Sequence, residues 1–355
     1  MSAAAVAIRG GLQEGRSVIC PHCSTDLLYR DRGGRRCSNC RRRFALEPSD
    51  TPLRLHDVRV RALSERLRDG RDLYYTLTQF RYAAARRRLP ALNRVGNWMM
   101  IVWGGVAFWG TYAVLFIGGR SVVTTIGFGV AALLAGIGVL SALRPLLRRR
   151  TRVRMPLTTE SLARDVLEPW RELYGEWPPG AVDEDRVPIP VVSSPRYALV
   201  CPNRSVLACL AANGVPQAYD MALLEDPRQV PAEVPLLVLH NASLPGLALA
   251  RDARRWFGSR VRVLGIAPRM VMDNEGAIRL RERPPRRSDR WFLADEPVSE
   301  REVRWLAAGW WSPVAAMPPA ALLAAVSRAV ARIEDQADPD RAGARRIGFL
   351  SWPAA

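Results

Sequence analysis

Lysine is missing from this 355-residue chain: all 52 basic residues are arginine. With alanine, leucine, glycine and proline abundant, the bias matches GC-rich coding and says nothing about any one site. Histidine is scarce. His22, His56 and His240 lie far apart, and no Ser-His-Asp or Cys-His grouping presents itself, so triad chemistry is not expected. Neither Gly-x-Gly-x-x-Gly nor a Walker A pattern occurs, which removes the glycine-rich phosphate cradle. A secretory leader is not expected either: Met1–Ile19 has no apolar core of the needed length, and Gly10, Gly11, Gln13 and Glu14 interrupt it. Cys20 follows Ser17-Val18-Ile19, without the small residue that a lipoprotein cleavage site needs.

Charge is missing from two long stretches. Residues 95–117 and 122–143 contain no Asp, Glu, Lys, Arg or His, and only Gly118-Gly119-Arg120-Ser121 separates them. At 1.5 Å of helix rise per residue each is long enough for a hydrocarbon core of about 30 Å. The four-residue link implies an antiparallel turn, so the expectation is a two-helix transmembrane hairpin. With no intramembrane charge, nothing indicates transport or a proton relay. Gly127, Ala131, Ala135, Gly138 and Ala142 form a small-residue face. That face suits packing on the first span, or homo-oligomerisation.

Positive charge is unevenly spread. Residues 1–155 hold 27 Arg against 9 acids, and residues 156–355 hold 25 of each. Arg86, Arg87, Arg88 and Arg94 precede the apolar runs, and Arg148, Arg149 and Arg150 follow them. The positive-inside rule then places both termini in the cytoplasm of a multi-pass inner-membrane protein. Anionic lipid headgroups are the expected partner of these arginines, with nucleic acid as the rival.

Four of the six cysteines form Cys20-Pro21-His22-Cys23 and Cys37-Ser38-Asn39-Cys40, the Cys-x2-Cys…Cys-x2-Cys spacing that resembles a zinc ribbon. Two residues between thiolates let both sulfurs of one turn face one ion. The expected cofactor is structural Zn²⁺ on Cys20, Cys23, Cys37 and Cys40, a closed shell without an open catalytic position. Asp31-Arg32-Gly33-Gly34 reads as a hairpin turn, with Arg42, Phe44 and Leu46 alternating as a closing strand. Arg35, Arg36, Arg41, Arg42 and Arg43 are candidate contacts for phosphate, lipid or an acidic protein face. Cys201 and Cys209 read as buried small hydrophobes.

Between ribbon and apolar runs, helices are expected over Leu55–Arg68 and from Leu73 to Arg88, as juxtamembrane amphipathic segments or as helices packed on the protein's own domain. In the juxtamembrane reading Tyr74, Tyr75 and Tyr82 sit at headgroup depth. After the hairpin, Thr158 or Thr159 caps a helix carrying Leu162, Val166, Trp170 and Leu173. Strands are expected at Tyr197–Val200, Ala222–Leu224, Leu236–Leu239 and Val261–Ile266, alternating with helices Arg204–Asn213 and Pro245–Phe257, and further helices at Val298–Gly309 and Pro319–Asp335. That alternation argues an α/β domain with a mainly parallel sheet. Trp305, Trp310 and Trp311 read as core rather than as a cation cage.

Ligands of such sheets bind outside the carboxyl ends of strands, which makes His240, Asn241 and Ser243 candidate ligand-binding residues. The segment Leu236–Arg254, an apolar strand running into Asn241 and Ser243 with Gly246 opening the next helix, resembles the core of Toprim domains. Asn241 and Ser243 stand where that family carries two metal-binding Asp, and Cys201, Pro202 or Asn203 stands where it carries Glu. The resemblance therefore implies the fold without its metal chemistry, since Mg²⁺ needs carboxylate oxygens.

The expected organisation is a multidomain membrane protein: a small β zinc ribbon (1–50), juxtamembrane helices (51–94), the hairpin (95–143), a basic linker and connecting helix (144–195) and a cytoplasmic α/β domain (196–355). The expected function is non-enzymatic: a membrane-anchored scaffold or adaptor recruiting a cytoplasmic protein partner. A membrane-tethered nucleic-acid-binding protein and a degenerate Toprim-like metal-dependent enzyme are the alternatives.

Overall fold

The computed structural model describes residues 17–86, 89, 102–106, 109–110, 112, 130–131, 133–139 and 152–338. The ribbon opens with β1 (Val18–Ile19) and β2 (Asp26–Leu27), paired antiparallel. Where a hairpin turn was expected, Tyr29–Arg35 forms 3₁₀ turns with Gly34 and Arg35 in the left-handed region. Phe44, Ala45 and Leu46 are all buried rather than alternating, because the chain leaves the ribbon straight into a second core.

That core joins segments distant in sequence. Helix α1 (Asp57–Arg68) and helix α2 (Leu77–Ala85) pack with a helical stretch built of α3 (Thr159–Leu162), a π turn (Ala163–Leu167) and α4 (Glu168–Tyr174). The π turn has a local cause. Pro169 has no N–H to give to a carbonyl four residues back, and the Glu168 N–H reaches instead to Ala163 O. Between α1 and α2, β3 (Tyr75–Thr76) pairs in parallel with β4 (Ala181–Val182). Thr76 and Gln79 close a capping box at the start of α2.

The larger body is the expected α/β domain. Strands β5 (Tyr197–Val200), β6 (Met221–Leu224), β7 (Leu236–Val238) and β8 (Val261–Val263) form one parallel sheet in the order β6–β5–β7–β8. Helices α5 (Arg204–Ala212) and α6 (Val215–Tyr219) connect β5 to β6, and α7 (Leu244–Phe257) connects β7 to β8. Ala198, Val200, Leu236 and Val238 share a core with Ala253 of α7. Leu199 and Leu237 enter a separate core with α5 and the C-terminal helix. Both faces are covered, which is why β5 and β7 are apolar at every position. After α8 (Pro268–Met272), β9 (Leu280–Arg281) pairs with β10 (Trp310–Trp311), which follows α9 (Glu300–Ala307). Helix α10 (Pro319–Ala337) completes the described chain.

The membrane fold and the multi-pass inner-membrane placement are overturned: among the described residues, no helix is long and apolar enough to cross a membrane. Most of 95–117 and 122–143 lies outside the described residues, and the longest described stretch there is 133–139. The positive-inside argument falls with the spans. Arg86 is solvent-exposed, and Arg87, Arg88, Arg148, Arg149 and Arg150 lie outside the described residues. The headgroup reading of the tyrosines is corrected too. Tyr75 is 0% and Tyr82 6% exposed, both in protein cores, and Tyr74 alone faces solvent.

Several hydrogen bonds tie the bodies together, among them a pair in which the Tyr74 N–H donates to Asn213 Oδ1 at 3.0 Å and Asn213 Nδ2 donates to the Tyr74 carbonyl at 2.8 Å. Thr76 Oγ1 and Ser205 Oγ lie 2.6 Å apart, and Gln79 Nε2 donates to the Met317 carbonyl at 3.0 Å.

Candidate metal centre

The two Cys-x2-Cys turns are built alike. In each, the residue after the second cysteine takes a left-handed φ, 59° at Ser24 and 58° at Arg41. Its N–H donates to the carbonyl of the first cysteine, at 3.1 Å in the first turn and 2.9 Å in the second. The N–H of the first cysteine in turn donates across the knuckle, Cys20 to Thr25 O and Cys37 to Arg42 O. This repeated backbone aims all four sulfurs inward. Cys20 Sγ is 3.8 Å from Cys40 Sγ, Cys23 Sγ is 3.7 Å from Cys37 Sγ, and all four lie within 4.8 Å of one another.

Those separations fit a metal and not a disulfide. A regular tetrahedron with bonds of about 2.3 Å has edges of about 3.8 Å, whereas a disulfide bond is about 2.05 Å long. All six cysteines are free thiols. The four sulfurs therefore form a group able to hold one metal ion such as zinc.

The protonation pattern of the metal-free thiols is split. Burial pushes the Cys20 thiol up to about 12. The side chain of Thr25, whose Oγ1 is 3.3 Å from Cys23 Sγ, and then its backbone N–H hold the Cys23 thiol down to about 6. Four thiolates crowded together repel one another, and a divalent cation removes that repulsion. Asn39 Nδ2 steadies the cluster by donating to Thr25 Oγ1 at 2.9 Å. His22 is a tie and not a ligand: its Nε2 lies 2.9 Å from the Arg43 carbonyl, stitching one knuckle to the other.

The ribbon arginines divide into two sets. Arg35 is structural, donating to Ala45 O and to Asp50 Oδ2. Arg36, Arg41, Arg42 and Arg43 are exposed, and none of them forms an ion pair among the described residues. Arg36 and Arg43 are directly opposed across an antiparallel bridge. Like charges facing one another across strands destabilise a sheet, and a negatively charged partner would relieve that cost.

The strand-end residues are occupied by the protein itself. Between β5 and β7 the sheet order reverses, which is where ligands of wound α/β sheets bind. Here the strip following β10 crosses the opening. Ala242 and Ser312 exchange two backbone hydrogen bonds of 3.0 Å, and the Val314 N–H donates to Asn241 Oδ1 at 2.9 Å. Ser243 caps α7 by accepting from the Gly246 N–H. His240 is buried, its Nδ1 2.8 Å from the Asn241 carbonyl, and burial holds its pKa below the usual histidine value. A cleft of about 470 Å³ beside the strip is lined by Asn241, Ser243, Arg283 and Trp310 among others. The three candidates are thus brought together, each with a partner inside the protein, and Asn241 and Ser243 also face this cleft.

The His240 ring fills the space a side chain at Gly265 would need: a Cβ there would fall 2.0 Å from its Cδ2. Gly265→Ala is expected to destabilise the α/β domain by about 1–3 kcal/mol, read as a lowered urea midpoint at unchanged m-value.

Cys201 and Cys209 are fully buried, and burial pushes both thiols up to about 12, in keeping with inert core residues. The tryptophans are partly buried against the main core, and Trp305 stacks on Trp310 at 6.5 Å. Sequence reading missed Thr25 and Asn39 as supports of the thiol cluster, although both are small polar residues within or beside the Cys-x2-Cys turns. No family model matches the chain, and neither a curated protein nor a solved structure matches it.

Proposed function

We propose that this chain is a non-enzymatic adaptor: a ribbon closed by structural Zn²⁺ docks the acidic face of a protein partner, and the α/β body serves as its rigid support. The observation that carries this reading is the exposed, unpaired set Arg36, Arg41, Arg42 and Arg43 on the second knuckle, with Arg36 and Arg43 opposed across the bridge. Bound zinc supplies four metal–sulfur bonds and no open coordination position, so it holds shape rather than performs chemistry. The Toprim-like reading of the α/β core adds no activity. Asn241 and Ser243 are spent on Val314 and Gly246, and neither position carries a carboxylate.

A nucleic-acid partner is the second reading, supported by the exposed Tyr29 ring on the same ribbon, a surface on which a base can stack. Fluorescence anisotropy on the full-length chain separates the two, using labelled poly-glutamate and a labelled single-stranded 20-mer as probes. Poly-glutamate is expected to bind the wild-type chain. Alanine at all four arginines is expected to weaken that binding at least about tenfold, and unchanged affinity would sink the proposal. Tighter binding of the 20-mer would establish the second reading. Four phosphate contacts would then cost it about 50-fold in affinity between about 50 and 200 mM salt.

A further inference from the structure

A second basic site lies away from the ribbon, where the two bodies meet. Arg81 and Tyr82 of α2, the stretch 152–155, and Leu280, Glu282 and Arg283 line a cleft of about 780 Å³ together with Trp311. Its guanidinium groups come from three separate parts of the chain: Arg81, Arg152 and Arg154, and Arg283. Backbone pairing fixes the last two parts against each other, since Val153 and Arg281 exchange N–H···O bonds of 3.0 and 2.9 Å. Arg81 is held by its bond to the Leu157 carbonyl and by stacking at 5.1 Å on the Tyr82 ring.

The charge there is unbalanced. Glu282 is the one acid in the lining, and it pairs with none of these arginines. Among the described residues Arg152, Arg154 and Arg283 form no ion pair, although the chain beyond residue 155 carries as many acids as arginines. Like charges gathered in a concave, partly apolar site raise the local potential and concentrate anions. Guanidinium groups bind phosphate bidentately. The volume lies within the range of small-molecule sites and leaves room for more than a lone phosphate ion. Trp311 and Met155 supply an apolar wall beside the charge.

We infer that this cleft binds a phosphorylated small molecule of nucleoside di- or triphosphate size, its phosphates on Arg152, Arg154 and Arg283 and its planar part against Trp311. The inference is independent of the ribbon's role. No bond is made or broken.

Isothermal titration of the full-length chain with ATP, pyrophosphate and inorganic phosphate, without added divalent cation, tests it. One ATP per chain is expected to bind saturably. Arg154→Ala combined with Arg283→Ala is expected to weaken it at least tenfold, and Trp311→Phe to weaken ATP but not pyrophosphate. Both arginines are exposed and unpaired, so the double variant is expected to melt as the wild type does. Alanine at Arg36, Arg41, Arg42 and Arg43 is expected to leave ATP binding unchanged. Absence of saturable binding, an unaltered double variant, or loss in the ribbon variant would overturn the site. Pyrophosphate or phosphate binding as tightly as ATP would overturn the ligand class.

Discussion

Chelation of metal from the reduced full-length chain is expected to unfold the ribbon while leaving the α/β body folded. Four sulfurs at tetrahedral spacing have little else to hold them together: the core around Cys20, Leu27 and Cys37 is small, and β1 and β2 are two residues each. Structural zinc in such small modules supplies about 10–16 kcal/mol of apparent binding free energy, which becomes folding free energy. The purified chain is expected to carry one zinc per molecule by elemental analysis. Cys37→Ser is expected to lose it, with amide hydrogen exchange rising over residues 18–44 and staying low in β5 and β7. Full protection of the ribbon in the metal-free chain would refute the structural role. Acid acts in the same direction, because protonating thiolates competes with the metal.

Asp57→Ala is expected to destabilise the N-terminal body by about 3 kcal/mol or more, since a buried charged acceptor serving several donors is removed. Asp57 is 2% exposed at the first turn of α1. Its carboxylate accepts from the N–H groups of Ala45 at 2.8 Å and Leu46 at 2.9 Å, and from the Tyr174 hydroxyl. Burial first, then this carboxylate, raise the Tyr174 phenol above its ordinary value, so it stays a donor at neutral pH. One side chain thus joins the exit of the ribbon, the start of α1 and the end of α4. Removing it strands two backbone donors in a dry site. Urea titration followed by tryptophan fluorescence is the measurement, because the Trp170 ring lies 4.5 Å from that of Tyr174, tilted by 45°. A loss under about 1 kcal/mol would show that water or a neighbour replaces the carboxylate.

What could be read in advance was local. Cys-x2-Cys twice over is a short-range pattern, and the sulfurs stand where the spacing implied. The four parallel strands were visible as apolar runs, and their helices as the segments alternating with them, whereas the caps Asn203 and Ser243 came only with the structure. Ser243 carries a second signal: followed by Pro245 and Gly246 it marks a helix start, and its hydroxyl accepts the Gly246 N–H while the residue also lines a cleft. Asn241 depended on a strip some seventy residues later in the chain, which no window could contain. The pairing of Arg32 with Glu47, both buried, was equally hidden, because burial of charge is decided by tertiary packing. The membrane reading rested on counting apolar residues, and no described helix is both long and apolar enough to cross a membrane. Tyr75 and Tyr82 misled because an aromatic ring with a polar tip suits a protein core as well as a bilayer edge.

The described body closes on itself around residues 87–151. Arg81 and Tyr82 before that stretch, and Arg152 to Met155 after it, line one cleft, and Met155 touches both main cores. Entry and exit are therefore neighbours in space, and Leu89, just inside that stretch, packs against the main core. Anchor points held this close set no minimum span for the chain that joins them, and the entropic cost of closing such a loop rises only slowly with its length.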